Sequence, residues 1–461
     1  MGHLQAQHTE CVSHFRLHYS TQLPSSQALT FPPQGRKHPD ARSPSSRHRR
    51  LAGRPAAPAG QMSLPICRFP EAPASPRRPA ALADDLLEEI LLRIACPADL
   101  ARASAACATF RRLVTDATFL RRYRSLHPPL LLGFLDPALG GFQPAEAPHP
   151  NAPAARALAG AAAFSFDYLP RGRGRRWYPR DVRDGRVLYC SPDAQEGIVF
   201  PELAVCDPLS RRYLLLPPIP EELLASVQVQ KQHVEFFETF LIPSGAEQGE
   251  EASFRVLGRA CCVRKMMVLV FSTGSGHWDV SASTSWDALS LSAWQGILLS
   301  WPSYAYGCFY WKVHSRSELL KLDINRMEFS IVDLPPNHAE SNVLIVETGN
   351  GRLGMFSNLS HVNRDTPLYY ATSKNEGDSN NEWQMAKTIP LPVHYDCCLV
   401  GAPEGYIFLL GIPKVQGTLG PACFSLDIKT LKIQRVNHMR LHHCHVYPYF
   451  SFPPFMLPRM V

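Results

Sequence analysis

The sequence predicts a small all-α module of three helices followed by an all-β domain, which we expect to be a six-bladed β-propeller. Three observations lead to this multidomain prediction. Residues 80–127 have apolar side chains at helical spacing, and residues 164–461 are short β-rich runs separated by turn clusters. A similar turn also recurs about every two blades within the β-rich part. The length of 461 residues and the apolar fraction of 45% suit two or three domains.

The first predicted helix has one apolar face and an acidic beginning. Its apolar residues recur every four positions: Leu82, Leu86, Ile90 and Ile94. Its first turns carry four carboxylates, which oppose the positive end of the helix dipole: Asp84, Asp85, Glu88 and Glu89. Pro97 ends this helix because it cannot continue the hydrogen-bond ladder.

Two further helices complete the module, and together they present more apolar surface than so short a segment can bury. The second helix carries Leu100, Ala103 and Cys107 on one face, and the third carries Phe119 and Tyr123. A module of fewer than about fifty residues buries only part of its apolar surface. Each buried Leu or Ile contributes roughly 1.5–3 kcal/mol. The remaining surface therefore predicts a partner, or else packing against the rest of the chain.

The order of these features resembles an F-box, the module by which a protein binds a Skp-family adaptor of a cullin ubiquitin ligase. The resemblance rests on Leu82, the acidic pair, Leu86-Leu87, Ile90-Leu91, Pro97-x-Asp99-Leu100, Ala106-Cys107 and Phe110-Arg111. F-boxes usually have Pro where Ala83 stands. The resemblance implies that the following residues supply the adaptor-facing and core surface: Leu82, Leu86, Ile90, Leu91, Leu100, Cys107 and Phe110.

The segments on either side of residues 80–127 have low-complexity composition. Residues 1–79 are rich in Pro, Ser and Arg, and we expect them to be disordered. Arg47-His48-Arg49-Arg50 could act as a nuclear-localisation patch, the Arg/Ser-rich start could be a transit peptide, and translation could begin at Met62. Residues 128–163 are rich in Pro, Ala and Gly and are predicted to be a linker.

Residues 164–461 repeat an Asp-centred hairpin at a two-blade interval. Asp207, Asp323 and Asp427 each follow an apolar strand and precede another, and prolines follow the first two hairpins. The intervals correspond to about two blades of roughly fifty residues, near the kelch period. The residues therefore predict a six-bladed propeller, with a pair of β-sandwiches as the alternative.

This β-rich region also resembles the F-box-associated propeller of plant F-box proteins. The resemblance rests on Gly307-Cys-Phe-Tyr-Trp311, the Asp323 turn and Gly351-Arg-Leu-Gly354. It implies a substrate-recognition subunit of a Skp–cullin–F-box ubiquitin ligase. In such a protein the F-box binds the adaptor, and through it the cullin, while the propeller binds a target protein. The alternatives are an interaction scaffold without a ligase role and, from another class, a propeller-type hydrolase.

Charge and composition limit the other function classes. The net charge of +7 arises from residues 1–80, which have eleven Lys or Arg against three Asp or Glu, so that residues 81–461 carry −1. We therefore expect no nucleic-acid partner. The sequence contains no run of eighteen apolar residues, so we expect no membrane span. Thirteen scattered cysteines without a CxxC pair favour a reducing compartment, so we expect the cytoplasm and/or the nucleus.

Chemistry-bearing motifs are weak throughout. No G-x-S-x-G, H-E-x-x-H or Walker motif occurs, so we expect no catalytic residue and no cofactor. His438 and His442-His443-Cys444-His445 lack metal-finger spacing, so we expect no metal. Four tryptophans are candidates for anchoring an unidentified target protein, with blade core as the alternative: Trp177, Trp278, Trp286 and Trp301.

Overall fold

The computed structural model describes most of the chain between Ala83 and Ser451. The described ranges are 83–95, 97–127, 129–135, 141–161, 164–170, 176–191, 200–209, 211–230, 233–243, 253–291, 299–349, 351–359, 367–373, 382–415, 417, 419–439 and 447–451. The tail over residues 1–79, predicted to be disordered, lies outside them.

The first described elements are four short helices, which we call the helical module. They are α1 (Asp84–Leu92), α2 (Pro97–Ala106), α3 (Ala108–Val114) and α4 (Ala117–Leu126). The second predicted helix is thus divided in two at Cys107. This residue has an extended backbone, and its Sγ accepts a hydrogen bond from the Phe110 N–H at 3.4 Å, which caps α3.

The core of the helical module comes from all four helices. Its buried residues are Leu91, Leu92, Leu100, Leu113, Val114, Phe119, Leu120 and Tyr123. Asp116 begins α4 by accepting hydrogen bonds from Thr118 N and Phe119 N at 2.8 and 3.2 Å. The Tyr123 hydroxyl donates to the carbonyl of Ile94 at 2.9 Å, which fixes the end of α1 against α4.

Five four-stranded antiparallel sheets follow in chain order and form blades 1 to 5. Blade 1 contains β3 (Tyr178–Arg183), β4 (Arg186–Ser191), β5 (Glu202–Asp207) and β6 (Arg212–Leu215). Blade 2 contains β7 (Val234–Ile242), β8 (Arg255–Cys262), β9 (Lys265–Ser272) and β10 (Trp278–Ser285), and blade 3 contains β11 (Ser303–Ala305), β12 (Cys308–Lys312), β13 (Glu318–Asp323) and β14 (Glu328–Asp333). Blade 4 contains β15 (Ser341–Glu347), β16 (Leu353–Leu359), β17 (Leu368–Ser373) and β18 (Trp383–Ile389), and blade 5 contains β19 (Tyr395–Gly401), β20 (Tyr406–Pro413), β21 (Ala422–Asp427) and β22 (Lys432–His438). A short helix, α6 (Glu221–Ser226), connects blades 1 and 2.

Blade 6 joins the two ends of the propeller sequence. Its strands are β1 (Leu130–Leu135), β2 (Phe142–Pro144) and β23 (Tyr447–Ser451), in the order β2-β1-β23. Helix α5 (Ala152–Ala161) packs against β1 and β2. The linker predicted over residues 128–163 is therefore corrected, because its apolar residues Leu131, Leu132 and Phe134 are buried in blade 6.

Six apolar clusters, one between each pair of neighbouring blades, arrange the sheets in a closed ring. Adjacent residues of a strand point to opposite faces, so each blade contributes to two clusters. Each cluster contains residues of two successive blades: Leu188 and Phe237, Leu257 and Trp311, Tyr310 and Met355, Phe356 and Phe424, Phe408 and Phe450, and Tyr449 and Tyr189. The prediction of a six-bladed propeller is confirmed.

The Asp-centred repeat occupies the same position in blades 1, 3 and 5. Asp207, Asp323 and Asp427 each end the third strand of their blade. Their Oδ1 atoms accept hydrogen bonds from backbone N–H groups two or three residues later: Leu209, Asn325, Arg326 and Thr430. The fourth residue after each Asp has a positive φ: 57° at Arg211, 55° at Met327 and 55° at Leu431. The repeat that the sequence shows at a two-blade interval is the recurrence of this turn in blades 1, 3 and 5.

Several cysteines are buried in the blades as thiols. Burial raises the pKa of Cys261 to about 12, and it also raises the pKa of Cys423. In the unfolded chain these thiols would ionise near their ordinary value of 9.0. Because the pKa is higher in the folded state, the stability that each thiol contributes is fully present below its unfolded pKa of 9.0. It is lost as the pH rises from there toward the folded pKa.

We therefore expect the free energy of unfolding to fall between pH 8 and pH 10. Each fully buried thiol contributes a loss of about 1.4 kcal/mol at pH 10. Urea unfolding of a Cys261→Ala/Cys423→Ala variant should show about 3 kcal/mol less alkaline loss than the parent chain. Cys107, which is exposed, gives the control Cys107→Ala. An equal alkaline loss in the double variant and in the parent would contradict the assignment.

Candidate functional site

Helix α1 has a buried face and an exposed apolar face. Leu91 and Leu92 are 3% and 2% exposed, whereas Leu86 and Ile90 are 56% and 51% exposed. Leu86 and Ile90 are four residues apart and therefore lie on the same side of the helix. Leu126 of α4 is also an exposed apolar residue of the helical module. The exposed pair Leu86 and Ile90, which we call the α1 face, is apolar surface that the described chain does not cover.

The predicted adaptor-binding residues divide into exposed and buried groups. Leu86, Ile90 and Cys107 are exposed, whereas Leu91 and Leu100 belong to the core of the helical module. Phe110 is partly buried against that core. Leu82 lies outside the described residues.

Ion pairs connect the acidic side of α1 to the other helices. Arg112 of α3 donates to Asp84 at 2.6 Å, and Arg122 of α4 donates to Glu88 at 2.6 Å and also to Glu89. These side chains are largely solvent-accessible, so each pair contributes little stability by itself. Their effect is positional, since they hold α1 against α3 and α4 with the α1 face outward.

Two of the four tryptophans considered as target anchors are buried in the propeller, and the other two are partly buried. Trp278 and Trp286 are 2% and 1% exposed, and their Nε1 groups donate to the Pro217 and Cys262 carbonyls at 2.9 and 2.8 Å. Trp301 packs on the Phe240 ring with centroids 5.2 Å apart. Trp177 is partly buried, and its Nε1 donates to the Pro170 carbonyl at 3.1 Å. The blade-core interpretation thus fits Trp278 and Trp286 best.

Large apolar side chains that are exposed on the propeller were not singled out from the sequence. They are Leu209, Tyr213, Leu215, Tyr306, Met385, Val393, Val415 and Leu419. Val393 is 73% exposed, and its neighbour His394 accepts a backbone hydrogen bond from Lys414, next to Val415, at 3.0 Å. Tyr213, Leu215 and Met385 lie in outer strands of their blades. Val393 and Val415 lie outside the strands.

The inner strands of blades 1, 3, 5 and 6 enclose a cavity of about 50 Å³ in the central channel. Its charged lining residues are Arg180, Asp181 and Arg183 of β3. Asp181 is 9% exposed and accepts hydrogen bonds from the backbone N–H groups of Val182 and Leu241, both at 2.9 Å. It also accepts one from Arg183 Nε at 3.0 Å. Nothing in the sequence marked this run of charges as part of a channel.

The described residues hold no group of three or more His, Cys, Asp or Glu side chains placed to bind a metal ion. His438 is paired instead with Glu146, through Nδ1 and Oε2 at 2.9 Å. The segment His442–His445 lies outside the described residues. Among the described helices, none is both long and apolar enough to span a membrane.

One protein-family model matches part of the propeller. Residues 180–396, from β3 of blade 1 to the beginning of blade 5, match the family described as "F-box protein AT5G49610-like, beta-propeller". No curated protein matches the chain in sequence.

Similarity to solved structures is weak. The similar structures include a post-proline cleaving enzyme from Rickettsia typhi, with 11% identity over 60% of this chain and 37% of that chain and a TM-score of 0.30. An oligogalacturonate lyase in complex with manganese has 10% identity, over 56% of this chain and 65% of that chain, with a TM-score of 0.32. This chain spans less than half of the first protein's length.

We expect the buried and exposed sides of α1 to respond differently to truncation. Leu91→Ala should lower the free energy of unfolding of the helical module by about 2–5 kcal/mol, because it leaves a cavity in the core. Leu86→Ala should change it by less than about 0.5 kcal/mol. Urea unfolding followed by the helical circular dichroism signal measures both. Equal losses from the two variants would show that the α1 face is covered.

Proposed function

We propose that this chain, whose residues 180–396 match the family described as "F-box protein AT5G49610-like, beta-propeller", is the substrate-recognition subunit of a Skp–cullin–F-box ubiquitin ligase. The helical module would be the F-box that binds a Skp-family adaptor, and the propeller would bind a target protein. The observation that carries the proposal is the α1 face, an exposed apolar surface on the module that precedes an F-box protein propeller.

The α1 face has the character of a helix-docking surface. Two aliphatic side chains one turn apart can enter a groove of a partner, as in other recognition modes that use an amphipathic helix. Removing such side chains from water contributes roughly 1.5–3 kcal/mol each. The core beneath them contains neither Leu86 nor Ile90, and no described residue covers the pair, so the α1 face would be open to an adaptor.

In this role the chain would be non-catalytic. The propeller would hold a target protein, and the adaptor and cullin would hold the ubiquitin carrier. Ubiquitin transfer would then follow from the high effective concentration of the carrier near the target. We propose the cytoplasm and/or the nucleus as its location, where such ligases act. No cofactor is needed for this role.

The same architecture without adaptor binding would be an interaction scaffold. The two roles differ in what the α1 face contacts, since a scaffold does not need Leu86 and Ile90 to be apolar. Adaptor binding is therefore the measurement that separates them.

We expect the intact chain to capture a Skp-family adaptor in a pull-down, and the double variant Leu86→Asp/Ile90→Asp to lose at least about tenfold in affinity, because two buried charges would replace two apolar contacts. Val393→Asp is the matched control, since it places the same charge at an exposed apolar position of the propeller. Unchanged thermal unfolding of all variants confirms that they fold. Failure of the parent chain to bind, or equal binding by the double variant, would contradict the ligase role.

A further inference from the structure

The guanidinium of Arg183 is held rigidly at the cavity of the central channel. Its Nε donates to Asp181, which is itself fixed by two backbone N–H groups. The guanidinium carbon lies 5.4 Å from the centre of the Tyr304 ring and 5.7 Å from that of Phe309. The side chain is 16% exposed. Aromatic contact and the Asp181 bond thus fix the orientation of this group.

The terminal nitrogens of Arg183 are not used within the described part of the chain. The hydrogen bond that Arg183 makes there goes through Nε, so both Nη atoms keep their donors. A planar guanidinium with two parallel N–H groups fits the two oxygens of a carboxylate. Because the group is already ordered, little side-chain entropy is lost when a ligand binds.

Tyr304 offers a second donor beside Arg183. It belongs to β11 of blade 3 and lines the same cavity as Arg183 of blade 1. Its hydroxyl makes no hydrogen bond to another described residue. Burial raises the pKa of this phenol, with Arg183, Glu347, Cys308 and Arg255 as the neighbouring ionisable groups. The phenol therefore remains protonated, and able to donate, at neutral pH.

The size and charge of the cavity select a small anion. A volume of about 50 Å³ holds roughly three or four water molecules, which is the space of one carboxylate with its adjoining carbon. Two arginines and one aspartate are the charged lining residues. Arg180 also interacts with the buried carboxyl of Glu238, so the donors offered to an anion are those of Arg183. The remaining wall is mostly apolar, and includes Trp301, Pro302 and Tyr447. Apolar walls strengthen an ion pair by excluding water.

We propose that this cavity binds the carboxylate of an Asp or Glu side chain presented by the target protein, with Arg183 as the bidentate donor and Tyr304 as the second donor. The identity of the ligand as a target side chain rests on the proposed function, because a target receptor would bind an acidic side chain of its target at the central channel. A free small carboxylate offers the same two oxygens as an Asp or Glu side chain, and the experiment distinguishes these two sources.

The test uses the full chain labelled with 5-fluorotryptophan, in which the ¹⁹F resonance of Trp301 is assigned from the variant Trp301→Phe. Sodium acetate at constant ionic strength should shift this resonance saturably at millimolar concentration, and sodium chloride should not. Arg183→Gln should weaken the acetate response by about tenfold and Tyr304→Phe by a few-fold. Arg212→Gln, which changes an exposed arginine of the same blade, is the matched control and should have no effect.

A second arm compares the blocked peptide Ac-Ala-Ala-Glu-Ala-Ala-NH₂ with its Gln counterpart. Binding of the Glu peptide at least as tightly as acetate, with no binding of the Gln peptide, supports a protein side chain as the ligand. If acetate binds and the Glu peptide does not, a protein side chain is not the ligand. If inorganic phosphate binds as tightly as acetate, the site has no preference for carboxylates. No response to acetate, or an equal response in Arg183→Gln, overturns the site. None of these readouts needs the adaptor, so they are independent of the pull-down.

Discussion

The pairing of β23 with β1 is the contact on which the rest of the propeller depends. Each blade buries both of its faces, so a blade is stable only with a neighbour on each side. An open ring would leave the first and last of these faces in water. The closing pair aligns Leu135 with Tyr447, two residues more than three hundred positions apart. The entropic cost of closing so long a segment grows only slowly with its length. Closure removes apolar area from water on the exposed faces of two blades, which offsets this cost.

This closure also determines where the helical module joins the propeller. Helix α4 ends at Leu126 and β1 begins at Leu130, so the chain passes from the module into blade 6 with three intervening residues. The Pro- and Ala-rich segment that follows is not a spacer, because it forms β2 and α5 of the same blade.

Neighbouring blades are also joined in pairs, which explains the two-blade interval of the sequence. Trp278 begins the outer strand of blade 2 and donates to the Pro217 carbonyl after the outer strand of blade 1. Trp383 occupies the same position in blade 4 and donates to the Asp333 carbonyl at the end of blade 3, at 3.1 Å. The Asp-centred turn lies in blades 1 and 3, and the tryptophan lies in blades 2 and 4. The repeated unit is therefore a pair of blades with two different members.

The sequence by itself determined the local features: the amphipathic α1, the β-rich character of residues 164–461, and the Asp-centred turns, whose carboxylates bond to N–H groups two or three residues away. These could be read because the interacting groups are neighbours in the chain. The tertiary structure decided which apolar residues remain exposed, since Leu86 and Leu91 are alike in sequence but differ in what packs over them. It also decided that β1, β2 and α5 belong to blade 6, and that Arg183 contacts Tyr304 at the channel. Those contacts join residues far apart in the chain, and they exist because the ring closes.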